Sequence, residues 1–457
     1  MKNNKKCVWF DGKNVYEVSF CNEFLSENPV KFVDGVFYNK NGAVDVRIIE
    51  KKIADKLLAQ KVQKNFDKKV TALTGALKRI CYSPDFEDDA GIAGGNEEAA
   101  KTPQGCGAQS NFREIIHLKN GMLTADGTFV PEFRICRNRL NVDYVPSAPK
   151  PLRWIAFLTE LLEPADILTL QEYIGYCLIH STKGQSMLFI VGNGGEGKSR
   201  IGVVLYHIFK EAAYFGSITE LAGDKFLKSN LIGKMLLIDD DMNMEGLKDT
   251  SFLKSLATAE TPITVQAKGK QGIQVKLNCR TICFSNGMPK SLYDKSEGWE
   301  RRLMILSTKP VPKDRVNDPF LSEKLIAESE GIFLWALEGL QRFIANNFKF
   351  TVSERAKQNI TEMKESNCNI ISFLKDEQLI KFGDGFECAT ADLYSGYCYW
   401  CNLNGVTILK KESFSLWLKQ NHSKYRINYS DYVISHESGK KARGYRGIDT
   451  TFRSIIQ

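Results

Sequence analysis

Hydrophobic and polar positions change period several times along this 457-residue chain. Short alternating runs near residues 32–42 predict strands and turns. From Val46 to Ile80 apolar residues recur at three- and four-residue spacing. Lys51, Lys52, Lys56, Lys61, Lys64, Lys68 and Lys69 fall between them, so this stretch reads as helix with a solvated basic face. Residues 87–109 hold almost no large apolar side chain and are rich in Gly, Ala and acid, which predicts a mobile loop or linker. Beyond it, alternating runs flank Asn120-Gly121 and Asp126-Gly127, dipeptides that favour tight hairpins. Helical periodicity returns on both sides of Glu163-Pro164-Ala165-Asp166, predicting two helices within 152–181. Between 184 and 312 strand and helix patterns alternate, the signature of an α/β layer, and 318–348 is helical again. The block from about 366 to 455 reads as helix, helix, basic helix and a hairpin near 430–448.

These changes divide the chain into an α+β region at 1–86, a linker at 87–110 and an α-rich domain at 111–182. An α/β core at 183–350 and a C-terminal domain at 366–457 follow. There is no internal repeat.

Composition narrows the function classes. A net charge of +8 is compatible with nucleic acid and equally with a solvated basic surface. No apolar run approaches the length of a membrane span, and no apolar segment follows the basic N-terminus as in a secretory signal. The 12 cysteines, mostly single, fit a reducing compartment, so a cytoplasmic location without membrane partners is expected. The lone Cys398-x-x-Cys401 pair has no partner pair at zinc-site distance, and Cys279 and Cys283 sit in an apolar run; these are read as packing residues. His117, His180, His207, His422 and His436 show no ligand spacing and are read as structural.

The informative chemistry starts at Gly192. Residues Gly192, Asn193, Gly194, Gly195, Glu196, Gly197, Lys198 and Ser199 fit the pattern G-x-x-x-x-G-K-[ST], and Arg200 opens the helical run that follows. An apolar strand pattern precedes them. Glycines let backbone N–H groups approach phosphates, and a helix N-terminus adds positive potential. Lys198 is therefore expected to reach the β- and γ-phosphates of ATP, with Ser199 a ligand of Mg²⁺. The run "MLLIDDD" then ends an apolar strand in acids. Asp239 is expected to hold Mg²⁺ and Asp240 to polarise water, with the division of roles among Asp239, Asp240 and Asp241 open; the acids also suit a helix N-cap. A further strand, "TICFSN", ends in Asn286, placed either to hydrogen-bond the γ-phosphate or attacking water or to form an Asn-Gly turn. Arg301 and Arg302 precede another apolar strand and offer guanidinium charge to a transition state, or form a surface pair.

Taken in order within about 110 residues, "GNGGEGKS", "MLLIDDD", "TVQAKGKQGIQVKL", "TICFSN" and "WERRL" resemble the superfamily 3 helicases of the AAA+ class, and within them the phage, plasmid and poxvirus primase-helicase family. The likeness spans roughly residues 110–450. It implies an α/β P-loop AAA+ core at 183–350 and a C-terminal winged-helix domain. It also implies a ring, expected to be a hexamer, with ATP between subunits and an arginine supplied in trans, Arg302 preferred and Arg301 the alternative. In that ring Lys268 and Lys270, at the tip of a hairpin in the central channel, track single-stranded DNA. Lys254 is a further phosphate contact. Lys440, Lys441, Arg443 and Arg446 flank the wing tip expected to bind duplex DNA, such as a replication origin.

The resemblance stops short of the family pattern at the N-terminus. The first 110 or so residues show no acidic primase cluster and no zinc-ligand set, so no primase activity is expected here and a separate primase becomes a partner. The function expected is an ATP-dependent replicative helicase or initiator of a bacterial mobile element. A DNA-binding ATPase switch that loads other proteins is the alternative, with a P-loop small-molecule kinase behind it.

Overall fold

The apolar run Met187–Val191 lies near the centre of a five-stranded parallel sheet in the first of two units. The computed structural model describes residues 9–33, 35–83, 114–242, 250–266, 268, 272–289, 297–312, 314–315, 317–436 and 438–451. The predicted linker at 87–110 lies outside them. The chain divides into two compact units, with the division between Lys357 and Gln358.

The first unit begins with α1 (Glu17–Glu27), the antiparallel strands β1 (Lys31–Val33), β2 (Val36–Asn39) and β3 (Gly42–Val44), then α2 (Val46–Ala59) and α3 (Phe66–Ile80). The lysine-rich stretch is thus two helices. The break falls where Lys61 and Asn65 take φ of 58° and 53°, a left-handed backbone that a helix interior excludes. Asp45 caps α2 by accepting the Arg47 N–H at 2.8 Å. Trp9, Phe20, Phe24, Phe37, Ile53, Leu57 and Leu77 pack together as this region's core.

Strands β4 (Ile115–Leu118), β5 (Gly121–Thr124) and β6 (Phe129–Val130) make a meander whose turns carry Asn120-Gly121 and Asp126-Gly127. Helices α4 (Leu152–Leu161) and α5 (Pro164–Cys177) follow, with Pro164 in the first turn of α5, where no intrahelical N–H bond is lost. Then come β7 (Met187–Val191), α6 (Ser199–Phe209), β8 (Ala213–Phe215), α7 (Ile218–Gly223), β9 (Leu236–Asp239) and α8 (Ser251–Thr258). The hairpin β10 (Ile263–Val265) and β11 (Ile273–Val275) precedes β12 (Arg280–Ser285), α9 (Glu297–Glu300), β13 (Leu303–Ser307), α10 (Leu321–Ile326) and α11 (Ser329–Ala345), and the division between the units falls within the next helix, α12 (Glu354–Asn367).

Five of these strands form one parallel sheet in the order β13-β7-β12-β9-β8. The residues of β7, β9 and β12 are all buried, as expected of parallel strands covered on both faces. Helix α6 lies close on the sheet because Gly202 has no side chain. A Cβ there would meet the Phe284 ring at 3.0 Å and Ile238 at 3.2 Å. Helices α5 and α11 approach through Gly175 and Gly339, where any Cβ would overlap the opposing backbone. Tyr173 ties α5 to the sheet: its hydroxyl donates to the Thr281 carbonyl at 2.7 Å and accepts the Thr281 N–H at 3.2 Å. Buried Glu172 accepts from Arg342 Nε and from the Thr351 N–H, each at 2.6 Å. The segment from β4 to α5 shares its hydrophobic core with the sheet, through Ile116, Leu123, Trp154, Leu158 and Ile174.

The second unit contains α13 (Asn369–Leu374), β14 (Ile380–Ala389), α14 (Thr390–Leu403), α15 (Lys411–Asn421), β15 (Asn428–Ile434) and β16 (Lys441–Thr450). Its antiparallel sheet has the order β14-β16-β15. Strand β14 corrects the sequence reading, which has only helices before the hairpin. Gly383-Asp384-Gly385 falls at an irregularity between Phe382 and Glu387 where β14 pairs with β16. Tyr397, Phe373, Phe414 and Tyr445 fill the core under this sheet. No helix among the described residues is long and apolar enough to cross a membrane.

Candidate functional site

Parallel strands end on one edge of a sheet, and this one ends at the residues singled out above. Strand β12 is inserted between β7 and β9, so the tip of β12 stands between the loop after β7 and the acids after β9. Two backbone bonds fix these tips. The Gly192 N–H donates to the Ser285 carbonyl at 3.1 Å, and the Met242 N–H donates to the Phe284 carbonyl at 2.9 Å.

The loop from Gly192 to Lys198 needs its glycines. Gly194, Gly195 and Gly197 have φ of 101°, 83° and 96°, and a Cβ on Gly192 would lie 2.7 Å from Glu196 Oε1. Asn193 is exposed at the crest of the loop, and Ser199 opens α6 behind it. The loop closes on one carboxylate. Glu196 Oε1 accepts the Asn193 N–H at 2.5 Å, and Oε2 accepts the Gly194 N–H at 3.0 Å and the Lys198 ammonium at 2.7 Å. Burial pushes the Glu196 carboxyl up, but the Lys198 ammonium and the loop amides outweigh it and hold it below the usual glutamate range. Lys198 also donates to Asn286 Oδ1 at 3.2 Å, so loop and β12 tip are joined through a side chain.

The acids divide differently. Asp239 is buried and its Oδ2 accepts the Ile218 N–H at 2.8 Å, which holds the start of α7 against β9. Burial, offset in part by backbone bonds, raises its carboxyl above the usual aspartate value. Asp240 Oδ1 is buried and accepts no hydrogen bond from a described residue. An orphaned carboxylate oxygen at a strand tip suits a cation or a water. Asp241 is exposed. The glycine cradle, the Lys198 ammonium and this oxygen are a donor set that fits Mg²⁺ and a polyphosphate.

Sequence reasoning did not find Arg315. It lies after β13 and caps the loop, donating from Nη1 to the Glu196 carbonyl at 2.7 Å. The segment around it has no periodicity and no recognisable spacing, so nothing in the sequence marks it. Beside it Phe157, Leu161, Pro310, Val311 and Pro312 line a small recess that reaches Glu196. Arg200 turns away from the loop and donates to Ser322 Oγ at 3.0 Å, linking α6 to α10. Arg302 bonds the Gly298 carbonyl of its own chain, whereas Arg301 is exposed.

The candidate DNA contacts fall on both units. Lys254 is half-buried on α8, and Lys268 is exposed in the turn between β10 and β11. Lys270 lies outside the described residues. On the second unit Lys440, Lys441, Arg443 and Arg446 are exposed along the β15–β16 hairpin. Arg443 and Arg446 have distant carboxylate neighbours, Asp431 at 3.7 Å and Glu387 at 3.9 Å. Lys441 lies 5.7 Å from the ring centre of Tyr432, itself exposed.

No curated protein matches the chain at a significant level. Residues 190–302 match the profile of a family described as "Family of unknown function (DUF5906)". Among solved structures the chain is similar to the A form apo structure of the NrS-1 C terminal region (305–718), with a TM-score of 0.46 and 12% identity over 78% of this chain and 77% of that one. A second structure, the A form apo structure of the NrS-1 C terminal region-CTR, aligns with a TM-score of 0.42 and 14% identity over 66% of this chain and 77% of that one.

Proposed function

We propose that the chain is a P-loop ATPase of the superfamily 3 AAA+ kind that works on DNA. The observation that carries this reading is the bond from Lys198 to Asn286 across neighbouring strand tips, beside the Asp240 oxygen. ATP, when bound with Mg²⁺, supplies the phosphoanhydride bond. The Gly192–Ser199 loop holds the phosphates, with Lys198 leaving Glu196 to meet them. Ser199 and an acid of the Asp239–Asp240 pair hold Mg²⁺. Asp240 is the better placed to orient a water and take its proton, because Asp239 is engaged with α7. Asn286 positions that water or the γ-phosphate, and Arg315 steadies the loop.

The second unit has helix, strand, two helices and a two-stranded hairpin in that order, which suits a winged helix with Lys440 and Lys441 at its wing. A homo-hexameric ring, with the Lys268 turn in its channel and an arginine reaching a neighbour's nucleotide, turns the ATPase into a helicase. Arg301, being exposed, is the better candidate for that reach than Arg302.

ATP hydrolysis with and without single-stranded DNA, followed by unwinding of a forked duplex, tests this. Wild type is expected to hydrolyse ATP faster with DNA and to separate the fork. Lys198→Ala is expected to do neither, and a Lys268→Ala/Lys270→Ala double variant to hydrolyse without unwinding. DNA-stimulated hydrolysis without strand separation would favour the loading switch. Hydrolysis indifferent to DNA would overturn the DNA-motor reading.

A further inference from the structure

The second unit carries a donor cluster that spacing along the chain conceals. Cys388 near the end of β14, His436 in the turn after β15, and Asp449 near the end of β16 place a thiol sulfur, a ring nitrogen and a carboxylate oxygen within 4.8 Å of one another. His436 Nε2 is 2.9 Å from Asp449 Oδ1. Cys388 is fully buried beside them, and His436 is exposed to solvent.

The turn that presents the imidazole is fixed. Asp392, buried in the first turn of α14, accepts the His436 N–H at 2.7 Å and the Ser435 hydroxyl at 3.2 Å. The Gly439 N–H closes the turn onto the Ser435 carbonyl at 2.8 Å. Asp392 thereby fixes the main chain at His436, while the imidazole itself stays exposed and able to turn.

We infer that Cys388, His436 and Asp449 form a Zn²⁺ site. Thiolate with imidazole and carboxylate suits a borderline-soft ion that accepts tetrahedral geometry, whereas Mg²⁺ and Ca²⁺ take oxygen donors. Bonds of about 2.3 Å to sulfur and about 2.0–2.2 Å to nitrogen and oxygen set ligand separations of about 3.3–3.8 Å. The cluster therefore has to contract by about 1 Å from its widest spacing, which the exposed His436 ring can supply. Zn²⁺ takes the place of the Cys388 thiol proton, which passes to solvent, and the His436–Asp449 hydrogen bond is exchanged for two metal bonds. The exposed side leaves the fourth position to water. The bound ion joins β14 to β16 and to the turn that ends at Lys440.

The test is a titration of the full chain, stripped with chelator, with Co²⁺ as a spectroscopic stand-in. Thiolate-to-cobalt charge-transfer absorption is expected to saturate at one equivalent and to be displaced by Zn²⁺. Cys388→Ser is expected to abolish the band. His436→Ala, whose exposed side chain can be removed without loss of the core, is expected to weaken Co²⁺ binding at least tenfold with an unchanged circular dichroism spectrum. Absence of the band in wild type, its persistence in Cys388→Ser, or undiminished affinity in His436→Ala would overturn the assignment.

Discussion

The ammonium of Lys198 lies 2.7 Å from the carboxylate of Glu196, and both side chains are almost entirely buried. That carboxylate also takes the N–H groups of Asn193 and Gly194. On the proposed reading these are the donors an incoming phosphate needs, and Glu196 competes with the nucleotide for its own loop. Glu196→Gln keeps the shape and removes the charge. Nucleotide affinity, read with a fluorescent ATP analogue, is expected to rise about tenfold, or about 1.4 kcal/mol. Weaker binding in Glu196→Gln would mean that the carboxylate shapes the loop for the ligand and does not compete with it.

Asn286 meets Lys198 at 3.2 Å from the neighbouring strand. If it acts on the reacting phosphate, Asn286→Ala is expected to lower kcat by about 10²-fold, the usual loss for one preorganised hydrogen-bonding group. Nucleotide Kd should change much less. A Kd that rises as far as kcat falls would make Asn286 a ground-state binding residue only.

How much of this was legible follows from how local each feature is. The strand, loop and helix around Lys198 occupy adjacent residues, and glycine is needed there for backbone reasons that sequence records. The two-helix reading on either side of Pro164 and the hairpin turns at Asn120 and Asp126 rest on equally local signals. Arg315 was illegible because it reaches the loop across about 120 residues without a pattern of its own. Strand β14 was illegible because its glycines signal a turn, while pairing with β16 overrides them. His436 reads as structural by spacing, and only the folding of β14 against β16 brings it to Cys388 and Asp449.

Asp239 gives a pH dependence of defined sign. Its folded carboxyl is raised by burial, so the folded state holds the proton more tightly than the unfolded state. Stability contributed here is present at acid pH and falls as pH climbs from about 3.9 through the raised value. Asp239→Asn keeps an acceptor for the Ile218 N–H and cannot ionise. Without divalent cations, thermal melts from pH 4 to 8 should therefore show the variant gaining on wild type as pH increases. Parallel curves would place the Asp239 titration at the ordinary value.

Gly175 and Gly339 make the contact between α5 and α11 possible, since any Cβ would enter the opposite backbone. Gly175→Ala is expected to destabilise the first unit by about 1–3 kcal/mol, the range for overpacking a close contact. The gain in helix propensity, about 1 kcal/mol, works against this and does not cancel it. Urea unfolding should show a lower midpoint with an unchanged slope. A midpoint at or above wild type would mean that the helices separate without cost.

Arg301 and Arg302 are adjacent and held differently. Arg302 bonds the Gly298 carbonyl, and its own carbonyl accepts the Met187 N–H at 2.7 Å, so it braces the start of β13 against β7. Arg301 is exposed and free of that task. Arg301→Ala is therefore expected to leave melting temperature nearly unchanged and to cut hydrolysis on the order of 10³-fold, as loss of an arginine finger does. An arginine acting in trans leaves a further signature. A subunit carrying Arg301→Ala has an intact phosphate loop, and a subunit carrying Lys198→Ala has an intact arginine. Mixing the two inactive variants should restore hydrolysis at every junction where the second lends its arginine to the first. If the mixture stays as inactive as its parts, the arginine works within its own chain, and the case for a catalytic interface between subunits loses its main support.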